Sequence, residues 1–460
     1  MNKKNFFFLT TNSKNLYLIS ALISKRYLEK KKNQSYELKK VENNKFYLKF
    51  IIFFFNEFIK GSLFDYKKFV KLRYNNFSLG RYVLSTFIRK SYNHNYFSKK
   101  YLFFKILFQG VNIINTYKVV DKNIVGIYID HAQFINGLYV EIFSKFKKNV
   151  SIYNYPKGLT LIDFSKTKKK DQKGSFEGIL QLDFKNKKIN KKEKKLANNK
   201  ICYSLKNPKI IPWLGKTKFF QFRKHNFKSY SHVIYAHSFT DDQLMWGYDD
   251  FIDMQEWLIF TIEELLKNKK YFIIKSHPNF FTNLRDKSKR EYLDKMIFNQ
   301  IKNKYKSKYI KFIDYPLKND LFLKNLNKKT ILISHHGTAI FEGILNNFKV
   351  ISSRATLWNK NFNLTNNWGN LQEYKKLLRL EWKNLFYANK DDFYKICHSL
   401  YCNKYNIYGN SFWQKSLFKS LNLKLHETEN NVSLKINKLI KSQNLDSIVN
   451  KITYTIEDLN

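Results

Sequence analysis

Three cysteines in 460 residues, Cys202, Cys397 and Cys402, exclude a disulfide framework. Cys397 and Cys402 flank His398 at a spacing that matches no common zinc pattern, so three reduced thiols are expected. Long hydrophobic runs are also missing. The most apolar stretch, Phe50–Phe55, lies between Lys49 and Glu57 and is far shorter than the ~20 residues a membrane span requires. The basic start at Met1–Leu9 breaks into Thr-Thr-Asn-Ser-Lys, a poor signal peptide. A cytoplasmic protein is expected, with the inner face of the membrane as a peripheral contact. Acidic residues are few: 36 Asp and Glu face 84 Lys and Arg, a formal charge of +48. Scarce Gly and Pro, with abundant Lys, Asn, Ile, Phe and Tyr, is the bias of an AT-rich genome. That bias explains Lys in place of Arg but not the excess of bases over acids. The field it creates attracts nucleotides, acidic sugars, anionic headgroups or nucleic acid.

Material for a core is plentiful, with 43% hydrophobic and 18% aromatic residues, and the length favours two domains. Residues 1–115 are nearly free of Gly and Pro and read as helices. Asn123–Asp130, Gln133–Phe146 and Val150–Tyr155 read as strand, helix and strand, a βαβ unit within 116–215. The Lys-rich stretch 166–200 reads as a solvated loop, and Pro208 and Pro212 as a rigid crossing. From 231 strands alternate with helices: strands at 233–236, 271–275, 309–313, 330–334 and 349–352, with helices at 254–266, 285–305 and 339–345. That alternation predicts a parallel sheet covered on both faces over 216–370, followed by helices over 371–460.

Three of these strands run into polar clusters: His237-Ser-Phe-Thr-Asp-Asp242, Ser276-His277-Pro278 and Ser334-His-His-Gly-Thr338. In an open parallel sheet the ligand crevice lies beyond the carboxyl ends of the strands, so the three loops should converge. Lys275 and His277 are placed to neutralise a phosphate leaving group, and Pro278 aims the turn. Gly337-Thr338 opens a helix whose N–H groups favour phosphate; the plainer reading makes Thr338 an N-cap. Glu342 is a ribose acceptor if the helix starts at the crevice, and otherwise an ordinary helical carboxylate. Asp241 or Asp242 would serve as general base. Trp246 and Trp257 read as packing residues. No clean Asp-x-Asp occurs among Asp241, Asp242, Asp249, Asp250 and Asp253, so no metal is expected.

At these residues the chain resembles bacterial capsule and surface-polysaccharide biosynthesis proteins, among them the Kdo-type glycosyltransferases. His237–Asp241 through Gly247, Phe251 and Glu256-Trp257-Leu258 resembles an H-x-F-x-D…G…F…E-W-L block. Lys275-Ser-His277-Pro278 resembles K-x-H-P, and His336-Gly337-Thr338…Glu342…Lys349-Val350-Ile351 resembles H-G-T/S…E…K-P-V-I, without the usual Gly-x-Pro before the last strand. Asp130-His-Ala-Gln-Phe-Ile-Asn-Gly137 is similar to an acceptor-side motif. The likeness spans about 120–360. It implies a GT-B-like α/β fold: two Rossmann-like domains with parallel sheets facing a cleft, plus helical extensions at both ends. It implies a metal-independent transferase, without cofactor, whose nucleotide-sugar donor is CMP-Kdo first and a UDP- or GDP-sugar otherwise. A polysaccharide or glycolipid would accept the sugar. By the same analogy His277 and the loop at Ser334, His336, Gly337 and Thr338 contact donor phosphate, Glu342 lies near the nucleotide, and His131 and His237 lie on the acceptor side. Asp241, then Asp130, is the expected base. Three other readings stand beside this one: a CDP-glycerol or CDP-ribitol phosphotransferase, a basic nucleic-acid-binding protein, and a non-catalytic scaffold. No nucleic-acid signature accompanies the dispersed lysines.

Overall fold

In the computed structural model the described residues are 7–11, 15–63, 65–91, 99–130, 134–154, 158–164, 188–206, 227–241, 244, 247–281, 290–356, 358–401, 406–408, 434, 438, 447, 449 and 450. His131, Asp242, Trp246, Cys402 and the two prolines at 208 and 212 lie outside them. The fold is α/β, built on two six-stranded, mostly parallel sheets.

The first sheet comprises β1 (Phe7–Thr10), β2 (Glu37–Lys40), β3 (Ile124–Ile129), β4 (Asn149–Asn154), β5 (Gly158–Asp163) and β12 (Asn406–Tyr408). Their order is β12-β5-β4-β3-β1-β2. The four strands β2, β1, β3 and β4 are mutually parallel, and β5 and β12 join antiparallel at one edge. Strand order therefore reverses between β1 and β3, and Asp130 stands just beyond that point. Two of these strands fall in the stretch read as helical. Phe7-Phe-Leu-Thr is too short to show a period, and Glu37-Leu-Lys-Lys is an exposed edge whose charges hide it as a strand.

The second sheet contains β6 (His232–Tyr235), β7 (Phe272–Lys275), β8 (Ile310–Ile313), β9 (Ile331–Ile333), β10 (Lys349–Ser353) and β11 (Asn366–Trp368). All its pairings are parallel. The order β8-β7-β6-β9-β10-β11 is the 3-2-1-4-5-6 sequence of doubly wound dinucleotide-binding sheets. Strands β6, β7 and β9 are buried at every position, as β-branched runs covered on both faces must be. One face packs Ile273, Leu332, Phe341 and Phe322; the other packs Trp257, Ile262, Ile274 and Trp368. The helices Met254–Lys267 and Ala339–Leu345 follow the sequence reading closely.

Three details differ from that reading. The Lys-rich stretch is not loop throughout: Lys191–Lys206 is helical, because Ala197 and Ile201 recur one turn apart and bury against the Lys390–Tyr401 helix, with Lys194 paired to Asp391 at 2.6 Å. The helix expected from Gln133 begins instead at Gly137, after a short 3₁₀ turn at Phe134–Asn136. Phe134 itself has φ 57°, which interrupts helical geometry. Gly137 is required there, since a Cβ would lie 2.1 Å from the Tyr82 ring. Finally, Lys349, part of the family-like K-P-V-I block, opens β10 at the end remote from the crevice. There it donates to the carbonyls of Trp382 and Leu385 at 2.9 and 2.6 Å and lies over the Trp382 ring.

Candidate functional site

The switch point of the second sheet lies between β6 and β9. The loop after β6 carries His237, and the loop after β9 carries His335 and His336. Their rings meet across the switch point: His237 and His336 are 3.9 Å apart between centroids, and His237 and His277, from the loop after β7, are 5.4 Å apart. Sequence convergence is thus realised for His237, Lys275, His277, Ser334, His336 and Gly337. Gly337 has φ +119°, a backbone state open to glycine, and its Cα faces the His237 ring. Ser334 Oγ donates to the His336 carbonyl at 2.8 Å and so braces the turn.

Electrostatics sort these side chains into one cation and several neutral rings. Burial pulls the Lys275 ammonium down to about 8, with Glu342 opposing the shift in part. Lys275 Nζ sits 5.9 Å from the Tyr235 ring centre and has no hydrogen bond or ion pair among the described residues. Burial, then the positive fields of His237 and Lys275, pulls His277 well below the ordinary histidine value. His336 is lowered in the same way by burial and by His237, His335 and His277. His237 is also lowered by burial, against the pull of Asp241. At neutral pH these three imidazoles are uncharged, and Lys275 carries the positive charge at this edge. Of the pair expected to neutralise a phosphate, Lys275 thus supplies the charge and His277 a neutral ring, because close packing of imidazoles makes simultaneous protonation too costly. His277 Nδ1 accepts from the Asn279 N–H at 3.2 Å, which leaves the ring proton on Nε2.

A buried relay, invisible in the sequence, lies behind the histidines. Asp249 Oδ2 is 3.0 Å from His335 Nε2, and His335 Nδ1 is 3.0 Å from His336 Nδ1. Asp249 and His335 are both buried, and Trp257 and Trp368 pack edge-on against the His335 ring. Burial pushes the Asp249 carboxyl up, but His335, Ser353 and the Phe251 N–H outweigh it and hold the group below the usual carboxylate range. Asp249 faces His335 Nε2, and the two Nδ1 atoms of His335 and His336 share one proton, so the orientation of His336 is tied to Asp249 through His335. Asp250 and Asp253, the neighbouring acids, are used structurally: Asp250 accepts from the Leu371 N–H and Asp253 caps the Met254–Lys267 helix.

A second missed acid, Asp294, shapes the His237 loop. It accepts from Ser238 Oγ, the Phe239 N–H at 3.0 Å and Thr240 Oγ1 at 3.3 Å. Burial raises its pKa to about 7. No pattern signals it; it lies mid-helix in Arg290–Lys304, where an acid reads as solvated.

Other named residues are placed as follows. Glu342 is half-buried, accepts from Asn319 Nδ2, and is raised by burial against the pull of that bond and of the Lys275 charge. Thr338 precedes the helix but makes no side-chain cap bond, and the helix has only seven residues, so its dipole is small. Pro278 starts a 3₁₀ turn at Pro278–Phe281. Asp241 is half-buried at the end of the His237 loop, with its N–H on the Ser238 carbonyl at 3.4 Å. Asp130 accepts from Asn136 Nδ2 at 3.0 Å, at the end of β3 in the first sheet. Trp257 packs the core and donates to Tyr374 Oη at 3.1 Å. The expected acceptor-side His131 is outside the described residues.

No family model matches the chain, and no curated protein matches it. Among solved structures, a β-Kdo 2,4 transferase, KpsC of Thermosulfurimonas dismutans, aligns with 61% of this chain and 80% of its own, at 9% identity and a TM-score of 0.36. Likeness at that level says nothing about substrate or chemistry. The site must be read from its own residues. Among the described residues these offer a buried cation, an Nε2–H donor at His277, a buried hydroxyl at Ser276 without a partner and a half-buried carboxylate at Glu342. Such a set suits an anion attached to a hydroxyl-bearing group.

Proposed function

We propose that the chain is a glycosyltransferase that moves a sugar from a nucleotide-activated donor, CMP-Kdo first, to a polysaccharide or glycolipid. The observation that carries this reading is the meeting of Lys275, His277, His237 and His336 at the switch point of a sheet with dinucleotide-binding strand order. The motif resemblance supports the same choice. In this mechanism Lys275 and the Nε2–H of His277 hold the phosphate as the glycosyl bond breaks and negative charge grows on the leaving oxygen. Glu342 accepts from a ribose hydroxyl. The Asp249–His335 pair fixes the orientation of His336, whose Nε2 hydrogen-bonds a donor hydroxyl. Asp241, or Asp130 from across the cleft, removes the acceptor's proton.

Anion binding would raise the depressed imidazole pKa values, so nucleotide binding should take up protons near neutral pH. A thermal-shift panel of CMP, UDP, GDP and their sugar conjugates tests the reading and identifies the base. Stabilisation by one nucleotide family, with calorimetric heats that vary with buffer ionisation enthalpy, is the expected result. No stabilisation by any nucleotide, together with salt-sensitive RNA binding, would overturn it. Release of CMP from CDP-glycerol and from no sugar nucleotide would move the assignment to polyol-phosphate transfer.

A further inference from the structure

The helix Tyr47–Ile59 turns an unusual face to solvent. Leu48, Ile51, Ile52, Phe55, Phe58 and Ile59 are 70, 47, 54, 58, 47 and 80% exposed, and Tyr47 is 57% exposed. At about 100° per residue these seven fall within a single arc of about 140°, with no polar side chain inside it. The opposite face is already used. Phe53 and Glu57 are buried, and Phe50 and Phe54 pack edge-on against Phe108 and Phe104 of the neighbouring helix Lys100–Tyr117. Tyr47, at the edge of the arc, stacks on Phe108, while the rest of the exposed arc stands outside the buried core. A contiguous apolar surface of this kind marks a place where something else docks.

Charge specifies the occupant. Lys49, Asn56 and Lys60 follow the apolar arc on one flank, by the same angular count. A cleft of ≈ 230 Å³ opens there, lined by Lys49, Asn56, Glu57, Lys60 and Tyr74. Glu57 is already neutralised by Lys60 at 2.8 Å. Exposed Lys45 precedes the helix, and exposed Lys100 and Lys105 stand on the neighbouring helix beside exposed Tyr101 and Phe104. An apolar strip bordered by lysines, with an aromatic residue at its margin, is complementary to a negatively charged lipid–water interface. A protein partner covering the same strip would have to bring acidic groups to every margin; a second copy of this chain, at +48, would bring more lysine.

We infer that the Tyr47–Ile59 helix lies in the headgroup region of an anionic phospholipid bilayer, with its apolar arc among the acyl chains and Lys45 and Lys49 on lipid phosphates. The chain is thereby held at a membrane without any spanning helix; among the described residues no helix is long and apolar enough to cross one. Membrane attachment and sugar transfer rest on different residues, and either can fail alone.

Vesicle flotation of the full chain tests it, using phosphatidylcholine alone and phosphatidylcholine with about one-third phosphatidylglycerol. Flotation with the anionic vesicles, lost in high salt, is expected. A variant carrying Ile51→Ser, Phe55→Ser and Ile59→Ser should float about tenfold or more weakly, with an unchanged circular dichroism spectrum because all three side chains are exposed. Phe55→Trp gives an independent readout that leaves the face apolar: its emission should shift to the blue on binding and be quenched by brominated acyl chains. Three results would each overturn the inference: no flotation of the wild-type chain, flotation of the Phe55→Trp variant with its new indole still in water, or a wild-type dimer in sedimentation that the serine variant dissolves.

Discussion

The two sheets differ in what they place at their strand ends. The first, partly antiparallel, ends β3 in Asp130, whose carboxylate is met by Asn136. The second, wholly parallel, ends β6, β7 and β9 in histidines and a lysine that crowd together and are pulled down in pKa by burial and by one another. Both have a switch point, and at both the chain leaves a strand toward the same kind of crevice. Strand order alone therefore does not make a site. What distinguishes the second sheet is that polar side chains are buried there at the expense of stability, which a fold tolerates where binding makes use of it.

The largest effect that would sharpen this contrast is on stability. Asp249→Asn leaves His335 buried without its carboxylate and should cost about 3 kcal/mol in chemical denaturation. Asp130→Asn, at the half-exposed end of the first sheet, should cost less than about 1 kcal/mol. The next is on turnover. His277→Ala should lower donor turnover by about 10² to 10³ with the melting temperature little changed. Asp130→Asn should leave nucleotide binding intact, because it stands at the end of the first sheet while the phosphate-holding groups follow the second; weakened nucleotide binding in that variant would erase the distinction between the two halves. Third, Gly137→Ala drives a methyl group into the Tyr82 ring and should destabilise the first half by about 1–3 kcal/mol, without changing nucleotide affinity per folded molecule.

Smaller effects come from pH. Lys275 is protonated below about 8, so nucleotide affinity should be highest there and fall as pH rises through that value, up to about tenfold per unit. Lys275→Arg should abolish the dependence. Its folded pKa lies below the unfolded value, so the folded chain binds fewer protons between the two, and this lysine makes stability rise with pH across that window. Asp294 acts oppositely. Its folded pKa, about 7, lies above the unfolded one, so the folded chain holds the extra proton and stability falls as pH climbs toward 7, by at most about 1.4 kcal/mol per unit. Asp294→Asn should flatten that slope in urea titrations at pH 4–8.

Much of the second sheet was legible because its strands are β-branched runs of the right length, broken by helices with clean apolar spacing. The three polar loops were legible for a related reason: His, Pro, Gly and Thr are unusual directly after such runs. The acids that organise these loops were not. Asp249 is one of five aspartates scattered between 241 and 253 and Asp294 stands on a charged helix, and nothing local separates a buried acid from a solvated one. The link of Asp249 to His335 exists only through the packing of Trp257 and Trp368 around them. β11 and β12 were missed because Asn-Asn-Trp and Asn-Ile-Tyr are three residues long and carry no period.

The loop after β6 is tethered twice. Asp294 holds Ser238, Phe239 and Thr240 from within the second sheet's half, while Arg89, on the helix Leu79–Ser91, donates to the Thr240 carbonyl at 3.5 Å with its guanidinium over the Phe134 ring. The inner tether has three hydrogen bonds to a buried carboxyl. The outer one is reinforced just downstream, where Leu244 and Ile252 bury in the first half's core while Phe239 and Phe251 bury in the second's. The stretch that carries His237 is thus rooted in both cores, so any change in how the halves meet bears directly on an imidazole at the switch point.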